Sequence, residues 1–123
     1  MTTMRLSEAI RLGSMATMQG FGADSILSSS APCALGSAAL AGGLLTEASR
    51  ASITVITSDL VECWPILKKE GVLNTIWILN DRARWSREQI ADWVEKQEIA
   101  LGYYTPSAEV AEAETVMALV TVK

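Results

Sequence analysis

Residues 33–45 read CALGSAALAGGLL, and no charge falls on any face of that run. A helix without a polar face has to be buried. Small residues let neighbouring helices approach closely, so this segment is expected to be the central helix of a bundle. Pro32 suits the first helical position, where its missing N–H costs nothing. Gly42-Gly43 weakens the far end. The chain has 123 residues, half of them hydrophobic. That length implies one domain, residues 1–123, with a core of its own.

The other elements arrange around that helix. A first helix is expected from Ser7 to about Met18, capped by Ser7 and with Leu6, Ala9, Ile10, Gly13 and Thr17 on one face. Arg5 and Arg11 are expected to point away from it. Gly20 to Asp24 reads as a turn anchored by Phe21. The run Ser52-Ile53-Thr54-Val55-Ile56-Thr57 alternates and is β-branched, so it is the best strand candidate. Its one available partner is Val116–Val122, giving at most a minor two-stranded pairing; otherwise 53–57 leads into a helix. Ser58-Asp59 begins a third helix that Pro65 and Gly71 interrupt. The tripeptide LGS occurs at 12–14 and at 35–37, too little to define a repeat.

From Val72 to Asn80 a short helix is expected, with Ile78 and Leu79 buried and Asn80-Asp81 breaking it. Ser86-Arg87-Glu88-Gln89 is a capping box, and Trp85 against Ile90 fits the hydrophobic staple that accompanies one. The helix that follows places Ile90, Trp93, Val94, Gln97 and Leu101 on one face. Glu88, Asp92, Glu95 and Glu98 line the other, with Asp92–Lys96 as an i,i+4 pair. Gly102 is the natural C′ residue. The tail restarts at Thr105-Pro106. All four tryptophans are assigned to the core. The predicted fold is mainly α: a small bundle of four to five helices around the buried helix 33–45.

Composition removes several activities. There is no histidine, the commonest general base and metal ligand. Two cysteines, Cys33 and Cys63, make neither a disulfide scaffold nor a zinc site, and both are read as reduced apolar groups. No GxSxG, phosphate loop or paired-cysteine motif is present. No catalytic residue, cofactor or metal is therefore expected. Net charge is −4, concentrated between residues 88 and 114, where seven acids face Lys96 alone. An acidic surface repels phosphates, which disfavours nucleic acid. Glu8 and Arg11 interrupt any signal-peptide core. The uncharged run Ser25–Thr46 is long enough to span a bilayer, but serine, proline and glycine dilute it, and no membrane role is expected.

Three blocks carry a resemblance: Leu6-Ser7-Glu8-Ala9-Ile10-Arg11-Leu12-Gly13, then Cys33-Ala34-Leu35-Gly36-Ser37-Ala38, then Leu79-Asn80-Asp81 with Trp85-Ser86-Arg87-Glu88-Gln89-Ile90-Ala91-Asp92-Trp93-Val94-Glu95. In this order they resemble a family of small proteins encoded by phages and prophages, mostly of uncharacterised function. Members often carry histidine near positions 82–84 and a pair of cysteines in the middle segment. Here Arg82, Ala83 and Arg84 stand there, with Cys63 alone, so no metal site carries over. The resemblance implies a phage or prophage origin and a bacterial cytoplasmic setting.

The expected function is a non-enzymatic accessory role, exercised by binding a host or phage protein or a small molecule. The expected contact surface comprises Arg82, Arg84, Arg87, Glu88, Asp92 and Glu95. A helix-turn-helix-like DNA-binding regulator opening at Ser86 is one alternative; a minor virion component is another. The apolar balance, with a mean hydropathy of +0.26, leads us to expect a homo-oligomer.

Overall fold

The computed structural model describes residues 4–15, 17–28, 30–46 and 52–104. Among these, five α-helices and two 3₁₀ turns form a helical bundle: α1 (Leu6–Ser14), α2 (Ala34–Ala41), α3 (Ile53–Cys63), α4 (Val72–Asp81) and α5 (Arg87–Ala100). The 3₁₀ turns are Ala23–Leu27 and Pro65–Lys68.

Helix α2 is the centre, as its composition requires. Ala34 through Ala39 are all buried. The helix is shorter than expected, because Cys33 is its N-cap and Gly42 its C-cap. Pro32 lies one residue outside, fully buried. α1 packs across α2, and the contact is made by glycine. A Cβ on Gly13 would stand 2.0 Å from the Ser37 carbonyl oxygen. Only hydrogen fits there, so the two LGS tripeptides, unremarkable in sequence, meet at the helix crossing.

α1 begins at Leu6 rather than after Ser7. Arg5 holds the N-cap position and offers no side-chain acceptor. Ser7 is buried inside the first turn, and the acceptor comes from α5: Glu98 Oε2 takes the Ser7 N–H at 3.4 Å, and Glu98 Oε1 takes the Ser7 hydroxyl. A carboxylate at a helix N-terminus satisfies free N–H groups and opposes the dipole.

The strand reading of 53–57 is corrected, because those residues form the first half of α3. The Ser52 hydroxyl caps the helix by accepting from the Val55 N–H at 3.3 Å. Thr57 donates back to the Ile53 carbonyl at 2.7 Å, a bond that lets threonine sit in a helix. Burial falls on Ile56 and Leu60, four residues apart. The proposed partner strand 116–122 and the Thr105-Pro106 cap lie outside the described residues. Pro65 ends α3, and Trp64 closes the core with its indole N–H on the Met4 carbonyl at 2.8 Å. Of the four tryptophans, Trp64 alone is buried; Trp77 and Trp93 are half-buried and Trp85 is exposed.

Asn80 does not break α4. It is buried in its last turn and joins three segments. Its Oδ1 accepts from Gln19 Nε2 at 2.9 Å and from the Ala34 N–H at 3.2 Å, and its Nδ2 donates to the Gly20 carbonyl at 3.0 Å. The capping box at Ser86 and Gln89 is present in both directions. Trp85 remains exposed and closes no staple over Ile90. The C-terminus of α5 is a Schellman arrangement. Gly102, at φ +82°, donates to Ile99, and Tyr103 donates to Glu98.

Candidate functional site

The residues expected to form one charged surface divide into three groups. Arg87 is inside. It is 6 % exposed, and its guanidinium reaches across the bundle to neutral oxygens only. Nη1 donates to Thr17 Oγ1 at 2.7 Å, Ser37 Oγ at 3.0 Å and the Pro32 carbonyl at 3.4 Å. Nη2 donates to the Ser14 carbonyl at 3.3 Å and to the Thr17 carbonyl. Burial pulls this guanidinium below the usual arginine range. Arg87 is therefore a fastener for the segments 14–17 and 32–37, and its assignment to a contact surface is corrected. At the first position of α5 its side chain turns inward, where those oxygens supply five acceptors.

Asp92 and Glu95 are at the surface but already committed. Arg11 Nη2 meets Asp92 at 2.7 Å and Arg11 Nη1 meets Glu95 at 3.0 Å. Arg5 approaches Glu95 at 3.7 Å and lies over the Tyr104 ring, 3.5 Å from its centroid. Burial works to lower the Arg11 pKa, and the two carboxylates more than offset it, raising it overall. So Arg5 and Arg11 do not point away from the bundle; they seam α1 to α5. Asp92 pairs with Arg11 and not with Lys96. Glu98, placed by sequence on the outer stripe, is 3 % exposed. The inward face of α5 is Arg87, Ile90, Ala91, Val94 and Glu98, while Leu101 is exposed.

Arg82, Arg84 and Glu88 stay outside. Arg84, at φ +54°, lies over the Phe21 ring, 4.3 Å from its centroid. Phe21 is thus an exposed partner for a cation rather than a buried anchor. Arg82 stands at the rim of a cavity that the sequence reading did not locate. That cavity, about 420 Å³, lies between the start of α3 and the length of α4, lined by Ile53, Asn74, Trp77, Ile78, Asp81 and Arg82. Its walls are mainly apolar, and Ile78 is 46 % exposed. Trp77 and Ile53 also line a second hollow with Thr57, Val61 and Lys68. The two hollows make one groove with Trp77 at its waist. Asp81 is held in place, accepting from the Gly22 N–H at 3.0 Å and Asn80 Nδ2 at 2.8 Å. Arg82 has no ion pair among the described residues, so it is the uncommitted charge at that rim. Exposed β-branched and aromatic residues in a helical stretch were the available signal; Ile78 was assigned to the core instead.

Neither cysteine is in a disulfide. Cys33 is buried, burial pushes its thiol pKa up, and its Sγ accepts from the Gly36 N–H at 3.4 Å. A buried thiol with a raised pKa is a poor nucleophile. Among the described residues no group of three or more Cys, Asp or Glu is placed to hold a metal ion. No helix among them is long and apolar enough to cross a membrane. The helix that would follow α5 in a helix-turn-helix lies outside the described residues, and the inward turn of Arg87 removes a cation from the one that is seen. Compared with family models, with curated proteins and with solved structures, the chain matches none.

Proposed function

We propose that this chain is a non-enzymatic accessory protein of a phage or prophage that acts by binding a protein in the bacterial cytoplasm. The groove at Trp77 is its contact surface. One observation carries the reading: the half-buried Trp77 and the exposed Ile78 and Val55 lie on α3 and α4 beside an apolar hollow, with Arg82 uncommitted at the rim. Aromatic and arginine residues are enriched where binding energy concentrates. The groove fits an amphipathic segment that lays two or three apolar side chains along Trp77 and offers a carboxylate to Arg82.

The test is affinity capture from infected host lysate with three baits: the unaltered chain, Trp77→Ala and Arg82→Glu. A specific partner recovered with the unaltered chain and lost with both variants supports the reading. A partner recovered equally by all three overturns the assignment of the groove. Light scattering on the same samples identifies a second copy of the chain as the occupant if mass doubles and Trp77→Ala restores the monomer.

A further inference from the structure

Trp85 and Trp93 share a shallow pocket on the outer side of α5, away from the Trp77 groove. Gln89, Asp92 and Lys96 complete its wall, and it encloses about 250 Å³. Exposing indole surface forgoes the stabilisation that burial supplies, and Trp85, 38 % exposed, contributes little to the core. The polar groups between the two rings are of mixed kind. The Gln89 carbonyl is occupied by the Ser86 N–H at 3.0 Å, which leaves its NH₂ group free to donate. Asp92 can accept and Lys96 can donate.

The electrostatics narrow the ligand. Asp92 and Lys96 carry opposite charges, and Arg11 already neutralises Asp92 at 2.7 Å. The pocket has no excess of either sign, so it attracts neither an anion nor a cation. A quaternary ammonium would sit beside the Lys96 ammonium, which opposes the usual aromatic cage. What remains is a neutral ligand with a flat apolar face and a rim of hydroxyls that donate and accept. A pyranose ring has that form: its axial C–H face lies on an indole plate and its hydroxyls meet amide, carboxylate and ammonium. The pocket is smaller than the roughly 300–1,000 Å³ of sites for drug-sized molecules, which suits one ring.

We propose that the Trp85–Trp93 pocket is a saccharide subsite that takes a single uncharged pyranose ring. A proline-rich peptide also stacks on tryptophan, but it requires an extended aromatic-lined groove, and here three polar side chains stand between the plates. The proposal uses none of the residues of the Trp77 groove, so either can fail alone.

The four tryptophans supply four separate reporters. Each indole N–H gives its own signal in a ¹H–¹⁵N spectrum, assigned by single Trp→Phe variants. The full chain is titrated with methyl pyranosides of glucose, galactose and N-acetylglucosamine, with their β-1,4-linked disaccharides, and with a proline-rich peptide. The expected result is saturable movement of the Trp85 and Trp93 signals with at least one sugar, at a Kd of about 1 mM for so shallow a site. Trp64 and Trp77 stay in place. Trp93→Ala weakens binding at least tenfold. Because Trp93 is half-buried, Trp85→Ala is the second variant; it acts on an exposed side chain and is expected to weaken binding by a similar factor with an unchanged circular dichroism spectrum. No saturable shift with any of these sugars overturns the proposal. So does saturation by the peptide alone, or a response confined to Trp77.

Discussion

The seam between α1 and α5 and the groove between α3 and α4 treat polar side chains in opposite ways. At the seam every charge is committed: Arg11 to Asp92 and Glu95, Glu98 to Ser7, and Arg87 to five oxygens a short way along the same helix. At the groove, Arg82 has no ion pair among the described residues, and apolar side chains face solvent. Density of charge in a sequence is therefore a poor guide to a contact surface. The charged cluster in residues 82–95 is mostly internal wiring, and the quieter run 72–82 carries the surface that remains available.

The contrast breaks first at Arg87. Arg87→Ala leaves buried oxygens without donors and opens a cavity, at a cost of about 3–5 kcal/mol. In a domain whose whole stability is about 5–15 kcal/mol, that loss brings the urea midpoint down sharply or prevents folding; urea denaturation followed by circular dichroism measures it. Gly13→Ala comes next. A Cβ 2.0 Å from the Ser37 carbonyl forces α1 off α2 and costs about 2–3 kcal/mol. An unchanged urea midpoint would show that the crossing is not close-packed. Glu98→Ala removes the cap of α1 and exposes a buried hydroxyl to desolvation, for a loss of about 1–3 kcal/mol. Glu98→Gln, which keeps one carbonyl acceptor, should recover part of it.

The smaller effects sharpen the comparison. Arg11→Ala deletes partly exposed ion pairs worth about 0.5–1 kcal/mol, and the difference from the unaltered chain should shrink as salt rises. Trp77→Ala, on a half-buried side chain, should change stability less than any of the core changes yet abolish partner capture. A Trp77→Ala protein that unfolds in place of losing its partner would move Trp77 from the groove to the core.

What the sequence disclosed followed from local chemistry. Ser86 and Gln89 form their box because both groups lie within one turn. The buried place of α2 follows from its lack of any polar side chain. Gly102 ends α5 because its backbone turns left-handed. What stayed hidden depends on partners far along the chain. Glu98 looked like one more surface acid until Ser7, 91 residues away, arrived beside it. Arg87 has the same history with Thr17, Pro32 and Ser37. The Ile53–Thr57 run misled because β-branching signals strand, whereas its burial follows a helical period. The groove was hidden for a simpler reason: Ile78 is apolar, and an apolar residue in a helix reads as core until its neighbours are known.

The Glu98–Ser7 contact also sets an order of events. During synthesis α1 is among the first segments to emerge and α5 among the last. Until residue 98 has left the ribosome, the first turn of α1 has no side-chain acceptor from any segment described here. Chain closure between residues 7 and 98 is a long loop, and non-local contacts of that kind are made late and slowly. A nascent chain stalled before residue 98 should therefore remain sensitive to protease at its N-terminal helix, and one released a few residues later should not.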